Sequence, residues 1–334
     1  MNTSLPAADV NTFLLQVPAN DVDPEGIKSL GLIQNRRKSP QEAFEEYFSA
    51  HVQNSNTRES YLRDVRQFAS WCQARGLTLE TITPVDVAAY RDQLTTSLAP
   101  TSVKRHLSAL RALFSFMVAS GAMTFNPARE VRSKPVKRAA GKTPAMEPQQ
   151  MRRLFDSFDP AKLIDLRDRA LIGVMAYTFA RVTAACSLTR GDYFDLGQRR
   201  AMIRLREKGG VEREIPCHPD LAEYLDAWIQ AASLKGDTSL FQTFTGQAHD
   251  QLSGRAINRT EALQMVKRRL GRAGLPCLFS NHSFRATGIT TFLENGGALE
   301  IAQNIAGHAD SRTTKLYDRR ATRLELAEIV RVSY

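Results

Sequence analysis

Cysteine is sparse and scattered in these 334 residues: Cys72, Cys186, Cys217 and Cys277 form no CxxC pair. That spacing suggests neither a zinc site nor a disulfide framework, and four distant thiols fit a reducing cytoplasm. Long apolar runs are missing as well. The longest, Ala170 to Ala180, falls short of the roughly 20 residues of a membrane helix and reads as a buried core helix. Met1-Asn2-Thr3-Ser4 lacks the basic and apolar regions of a secretory leader. Neither an internal repeat nor a low-complexity segment is found. Acids are in deficit, 35 against 45 lysines and arginines, leaving a net charge of +10. A field of that sign attracts a polyanion such as nucleic acid, although charge alone equally fits a soluble protein that is merely basic.

The length suits two domains, each able to bury its own core. Residues 1–38 lack periodicity, end in Arg36-Arg37-Lys38 and read as a tail. Ser39-Pro40-Gln41-Glu42 then starts a helix, with serine as N-cap, proline at N1 and glutamate completing a capping box. Phe44, Tyr47, Phe48 and Val52 give it an apolar stripe. A second helix is expected after Asn56-Thr57 with Tyr61, Val65, Phe68 and Cys72 inward. Thr83-Pro84-Val85-Asp86 starts a third, and Pro100 a fourth that buries Val103, Leu107, Leu110, Phe114 and Met117. This four- or five-helix domain spans 39–128. Residues 129–144 carry Arg129, Arg132, Lys134, Lys137, Arg138 and Lys142 among Pro135, Gly141 and Pro144, and read as a basic linker that is either solvated or touches nucleic acid.

The second domain, 145–334, is mainly helical with one small β-sheet. Ala201 to Arg206 alternates apolar and basic, Gly209-Gly210 turns, and Val211 to Ile215 returns as a hairpin. Helices are expected over Leu221–Ala231, Glu261–Arg272, His282–Leu293 and Leu299–Ala306, with a short one near Leu324–Val330. Arg181 ends the apolar helix, and the nearest acids in sequence, Asp168 and Asp192, are too far to be local helix partners. Such an arginine either reaches water or holds an anion. His282 and Arg285, three apart, share a helix face, and His308 follows Gly307 at a helix end.

In their order along the chain these residues resemble the active site of the tyrosine recombinases, the phage integrase family. The pattern is Arg181, a hairpin Lys208, His282-Ser283-Phe284-Arg285, Gly307-His308 and Tyr317, and the likeness runs from about Ser39 to Tyr317. It implies a helical core-binding (SAM-like) domain and a mixed α+β catalytic domain that form a clamp on double-stranded DNA. It also implies site-specific recombination through a 3′-phosphotyrosine, for integration, excision or resolution of a mobile element or replicon. The resemblance makes Tyr317 the nucleophile, sets Arg181 and Arg285 on the phosphate oxygens and has Lys208 protonate the leaving 5′-oxygen. His282 would move a proton and His308 would donate to the phosphate. No metal and no cofactor is implied. Partners would be a homotetramer on two DNA sites and accessory DNA-bending proteins, in a bacterial cytoplasm and without a membrane.

Arg58, Arg63 and Arg66 on the second helix and Lys104, Arg105 and Arg111 on the fourth match the family's DNA-facing pair, with Lys134, Lys137 and Arg138 in the linker adding phosphate contacts. The chain departs from the family at Ala184, where an acid is common, at Ala286 in place of a second histidine, and at Ile305-Ala306 in place of Leu-Leu. Rival expectations are a type IB topoisomerase-like relaxing enzyme, a metal-dependent nuclease built on His282, His308 and Asp310, and a non-catalytic architectural or regulatory DNA-binding protein. Leu324, Leu326, Ile329 and Val330 would dock either on their own domain or, as in the family, on a neighbouring protomer.

Overall fold

The computed structural model describes residues 38–134, 143–197, 200–207, 210–246, 251–308 and 310–318. The tail 1–37, Lys208, Lys137, Arg138 and the expected helix near Leu324–Val330 lie outside the described residues. Two compact units divide between Lys137 and Arg138.

The first unit holds α1 (Pro40–Glu46), α2 (Ser55–Gln73), α3 (Pro84–Ser97) and α4 (Pro100–Ala119). Local chemistry sets their starts. Ser39 with Glu42 and Thr83 with Asp86 each close a capping box. Helix α1 runs on into a π-turn, Tyr47–His51, which keeps Tyr47 and Phe48 buried. Helix α2 begins just before the expected point because Asn54 caps it, accepting from the Thr57 N–H at 3.1 Å. Helix α4 buries Val103, Leu107, Leu110, Phe114 and Met117 in one core with Val65, Phe68 and Tyr90.

The start of the basic segment is not solvated linker. Val131 is buried in this core, and Arg111 donates from Nε to the Ala128 carbonyl (3.2 Å) and from its terminal nitrogen to that of Val131 (2.8 Å). The boundary between the units therefore falls within 129–144 rather than at its start.

The second unit begins with α5 (Pro148–Asp156), α6 (Leu163–Tyr177), α7 (Val182–Cys186), β1 (Tyr193–Asp195), β2 (Ala201–Arg206), β3 (Glu212–Pro216) and α8 (Pro219–Ala231). It continues through β4 (Gln242–Thr245), β5 (Gln251–Ala256), α9 (Arg259–Arg272), α10 (Asn281–Glu294), α11 (Leu299–Ala306) and α12 (Ser311–Lys315). The expected hairpin is present, with Ile203 opposite Ile215, but β1 extends it to three antiparallel strands. A second sheet, β4 with β5, was not expected from the sequence. Its strand β5 is almost wholly exposed, so no alternation of apolar and polar residues marks it.

Helix α6 is the centre of the unit: Leu171, Ile172, Val174 and Met175 are fully buried, packed with α8 and α10. Asp168 on its buried face is held by Arg167 Nε (2.9 Å) and by Arg269 Nε of α9 (2.7 Å), which satisfies a charge that would otherwise be costly to bury. Among the described residues no helix is long and apolar enough to cross a membrane.

Candidate active site

The apolar run does not carry its helix to Ala180 as expected. Helix α6 stops at Tyr177, and Phe179 adopts a left-handed φ of 54°, a strained conformation for a bulky residue. Two neighbours from α10 accompany it. The Arg285 guanidinium donates to the Phe179 carbonyl. Gly288 leaves the necessary room, since a Cβ there would lie 2.0 Å from the Ala176 carbonyl oxygen and 2.6 Å from the Phe179 ring. The turn delivers Arg181 as the N-cap residue of α7, with its side chain 42% exposed. Its ion partner is Glu207, at 2.5 Å, and neither Asp168 nor Asp192.

Helix α11 ends at Gly307, left-handed at φ 58°, and a Cβ there would sit 2.7 Å from the Arg213 guanidinium. Glycine meets both requirements. His308 follows. Its Nδ1 lies 2.9 Å from Thr314 Oγ1, and its Nε2 lies 2.6 Å from an Arg285 terminal nitrogen. Arg285 is 1% exposed and also donates to the Ala306 carbonyl at 2.7 Å. Short helix α12, capped by Asp310, brings Tyr317 back over this cluster. The phenolic oxygen lies 3.0 Å from His282 Nε2, and the ring lies parallel to that of His308, with centroids 6.1 Å apart.

The field at this site is strongly positive. Burial, then Arg285 and Arg181, push the His308 pKa down to about 4. Partial burial, then the same two arginines, lower that of His282, which is nevertheless an exposed residue. Burial, then Arg181, bring Arg285 down to about 10, so it remains a cation at neutral pH. Both histidines are thus neutral near pH 7. A guanidinium only donates, so His308 Nε2 accepts from Arg285 and its Nδ1–H faces Thr314. The donor role towards a phosphate that the resemblance implies for His308 would require Nε2 to turn from Arg285 and to carry the proton.

Of the residues singled out from the sequence, Arg181, His282, Arg285, His308 and Tyr317 converge here, and Lys208 lies outside the described residues. The nuclease trio does not form: Asp310 is held by Arg312, and no group of three His, Cys, Asp or Glu suited to a metal occurs among the described residues. The candidate DNA-facing residues divide. Arg63, Arg66, Lys104 and Lys134 are exposed. Arg58 donates to the Val52 carbonyl, Arg105 pairs at 3.0 Å with the buried Asp64, and Arg111 is tied to the Ala128 and Val131 carbonyls. Sequence reading missed Glu207, Arg213, Thr314 and Gly288. Glu207 alone left a trace, continuing the inward alternation of Ile203 and Leu205 one residue past the end of β2.

Known proteins share this architecture. The profile of the phage integrase family matches residues 144–323, and that of the phage integrase N-terminal SAM-like domain matches 42–121. Tyrosine recombinase XerD of Mycobacterium tuberculosis is 29% identical over 278 residues, 79% of this chain and 86% of XerD. Tyrosine recombinase XerC of Xanthomonas campestris pv. campestris is 27% identical over 304 residues, 86% of each chain. Among solved structures, the XerH recombinase on its difH substrate, post-cleavage, aligns with a TM-score of 0.66 at 19% identity over 88% of this chain and 84% of XerH. A lambda integrase tetramer on a Holliday junction aligns at 0.63 and 16% identity over 96% and 86%. At such identities the structures speak to the fold.

Two measurements check this account. Gly288→Ala is expected to destabilise the second unit by about 3 kcal/mol or more, because a backbone oxygen cannot yield as a side chain can. Gly271→Ala, with open space on α9, should be neutral or slightly stabilising in the same thermal melts. The second concerns pH. His308 stays neutral when folded down to about pH 4, whereas an unfolded chain protonates it near 6.5. Its contribution to stability is therefore full above about pH 6.5 and lost as pH falls towards 4, on the order of 2–3 kcal/mol. Denaturant titrations of the wild type and His308→Gln should show the acid loss shallower in the variant.

Proposed function

We propose, from the premise that this chain belongs to the phage integrase family of tyrosine recombinases, which cut and rejoin DNA through a tyrosine, that it is a site-specific recombinase with Tyr317 as nucleophile. The observation that carries the reading is the 3.0 Å contact of the Tyr317 hydroxyl with His282 Nε2, beside the buried Arg285. Tyr317 Oη bonds to the scissile phosphorus while the bond from phosphorus to the 5′-oxygen breaks. The phenolic proton passes to neutral His282, and Lys208 gives a proton to the departing 5′-oxygen, which leaves as a 5′-hydroxyl. An ordinary tyrosine, with a pKa near 10, is almost wholly protonated at neutral pH, so a base within hydrogen-bond reach matters. Arg181 and Arg285 offset the charge that builds on the five-coordinate phosphorus, work that a divalent ion does in other phosphoryl-transfer sites. The 3′-phosphotyrosine keeps the bond energy, so a 5′-hydroxyl from a second duplex reseals the strand by the reverse path.

Exchange between two duplexes calls for four nucleophiles, and we assign the working form as a homotetramer on two DNA sites. The tetramer seen for lambda integrase on a Holliday junction supports that assembly. Integration, excision and resolution all use this one chemistry.

A nicked duplex carrying a site selected from random DNA by the wild-type chain provides the test. Tyr317→Phe should bind it normally and form no covalent adduct on a denaturing gel, and Arg181→Ala should slow adduct formation about 10²–10³-fold. Adduct formation should be unchanged in EDTA; loss in EDTA with recovery in Mg²⁺ would mean a metal nuclease.

The first unit gives a separate test. Neutralising the exposed Arg63, Arg66 and Lys104 together should flatten the slope of log affinity against log salt by up to about 2.7, if all three meet phosphates. Melting should be unaffected. Arg111→Gln should instead lower the stability of this unit, because two backbone carbonyls lose their donor.

A further inference from the structure

Arg181 reaches the site from a chain turn and is the more exposed of the two candidate phosphate-binding arginines. A long side chain in that position needs a fixed partner to hold one geometry. Position 184, one turn on in α7, is a buried alanine and offers no charge. The partner comes instead from Glu207, the residue just past β2. The Glu207 side chain is 4% exposed and both its oxygens are engaged: Oε2 takes Arg181 at 2.5 Å and Oε1 takes Arg213 at 2.9 Å. Its N–H donates to the Val211 carbonyl at 2.8 Å, fixing the backbone at the base of the β2–β3 turn. Arg213 continues the chain of contacts. It donates to the Asn304 and Ile305 carbonyls at the end of α11, and its guanidinium lies over Gly307, next to His308.

We propose that Glu207 is the positioning residue for Arg181, anchored through Arg213 to the turn that carries His308. The inference rests on the phosphoryl-transfer reading given above. A carboxylate this buried is stable only between cations, so the bridge is rigid rather than one of several surface alternatives. It occupies one terminal nitrogen of Arg181 and leaves other N–H groups for a phosphate oxygen. Among the described residues it is also the one carboxylate in the ion pairs of Arg181 and Arg213, and its charge acts on Arg285 as well. Without it these cations would repel, and Arg181 would turn towards solvent. Misplacing a catalytic group by about 1 Å can cost on the order of 100-fold in rate.

The test uses the full chain and the nicked duplex selected by the wild type, read as single-turnover formation of the Tyr317 adduct. Glu207→Gln keeps the shape and removes the charge. Adduct formation, measured well below the melting range of the variant, should slow 10–100-fold with DNA affinity within about twofold of the wild type. Melting should fall, because the largely buried Arg213 loses its counter-ion. Because Glu207 acts through Arg181, Glu207→Gln should add little to the loss caused by Arg181→Ala, yet slow Arg285→Ala further. Glu207→Asp, with the charge kept one methylene short, should recover part of the rate. Wild-type cleavage by Glu207→Gln, full additivity with Arg181→Ala, or an aspartate variant no faster than the glutamine one would each overturn the assignment. If the wild type itself forms no Tyr317 adduct, the underlying reading falls and takes this inference with it. A wild-type adduct with an unslowed Glu207→Gln overturns this inference alone.

Discussion

The buried guanidinium of Arg285 is the contact on which the site depends. It donates to the carbonyls of Phe179 and Ala306 and to Nε2 of His308, and so joins the end of α6, the end of α11 and the turn after it. Burying a cation costs several kcal/mol, and three acceptors in fixed positions offset that cost only if all three are present. The left-handed Phe179, the glycine at 288 and the left-handed Gly307 are the backbone conditions that put them there. On the proposed mechanism an arginine in this setting is a structural tie as well as a phosphate ligand. Its removal leaves two helix-end carbonyls without a donor, so activity lost on such a change mixes both roles.

What could be read from the sequence was what neighbours in sequence decide. Ser39 with Glu42 and Thr83 with Asp86 are three residues apart, and the α4 stripe follows a 3.6-residue period, so these elements were legible. The order of Arg181, His282, Arg285, His308 and Tyr317 was legible as a family pattern rather than as physics. Contacts between residues distant in sequence were not. Apolar residues continue to Ala180, yet α6 ends at Tyr177, and the turn fits around Gly288 of α10, more than a hundred residues on. The β4–β5 sheet shows no alternation because β5 is almost wholly exposed. Glu207 and Arg213 are ordinary hairpin charges until α11 is placed beside them.

Basic residues illustrate the same limit. Arg58, Arg105 and Arg111 looked equivalent to Arg63, Arg66 and Lys104 because all six lie off the apolar stripes. The first three have acceptors within the unit: the Val52 carbonyl, the carboxylate of Asp64, and the carbonyls of Ala128 and Val131. Helical position identifies which side chains can face outward. Whether a guanidinium is already occupied depends on where the chain returns, and composition carries no record of that.

On the proposed mechanism, the positive field also explains how one site can wait and then act. Partial burial, then Arg285 and Arg181, hold the pKa of His282 below its ordinary value, so that without substrate the imidazole is a weaker base. A phosphodiester bound between the two arginines brings a negative charge into that field and cancels part of it. The affinity of His282 for a proton then rises at the moment the phenolic oxygen needs to lose one. Glu207 limits how far the resting field can grow, since its carboxylate pairs with Arg181 and Arg213 while leaving Arg285 to the substrate. A bound phosphate therefore strengthens a base that already stands 3.0 Å from the phenolic oxygen.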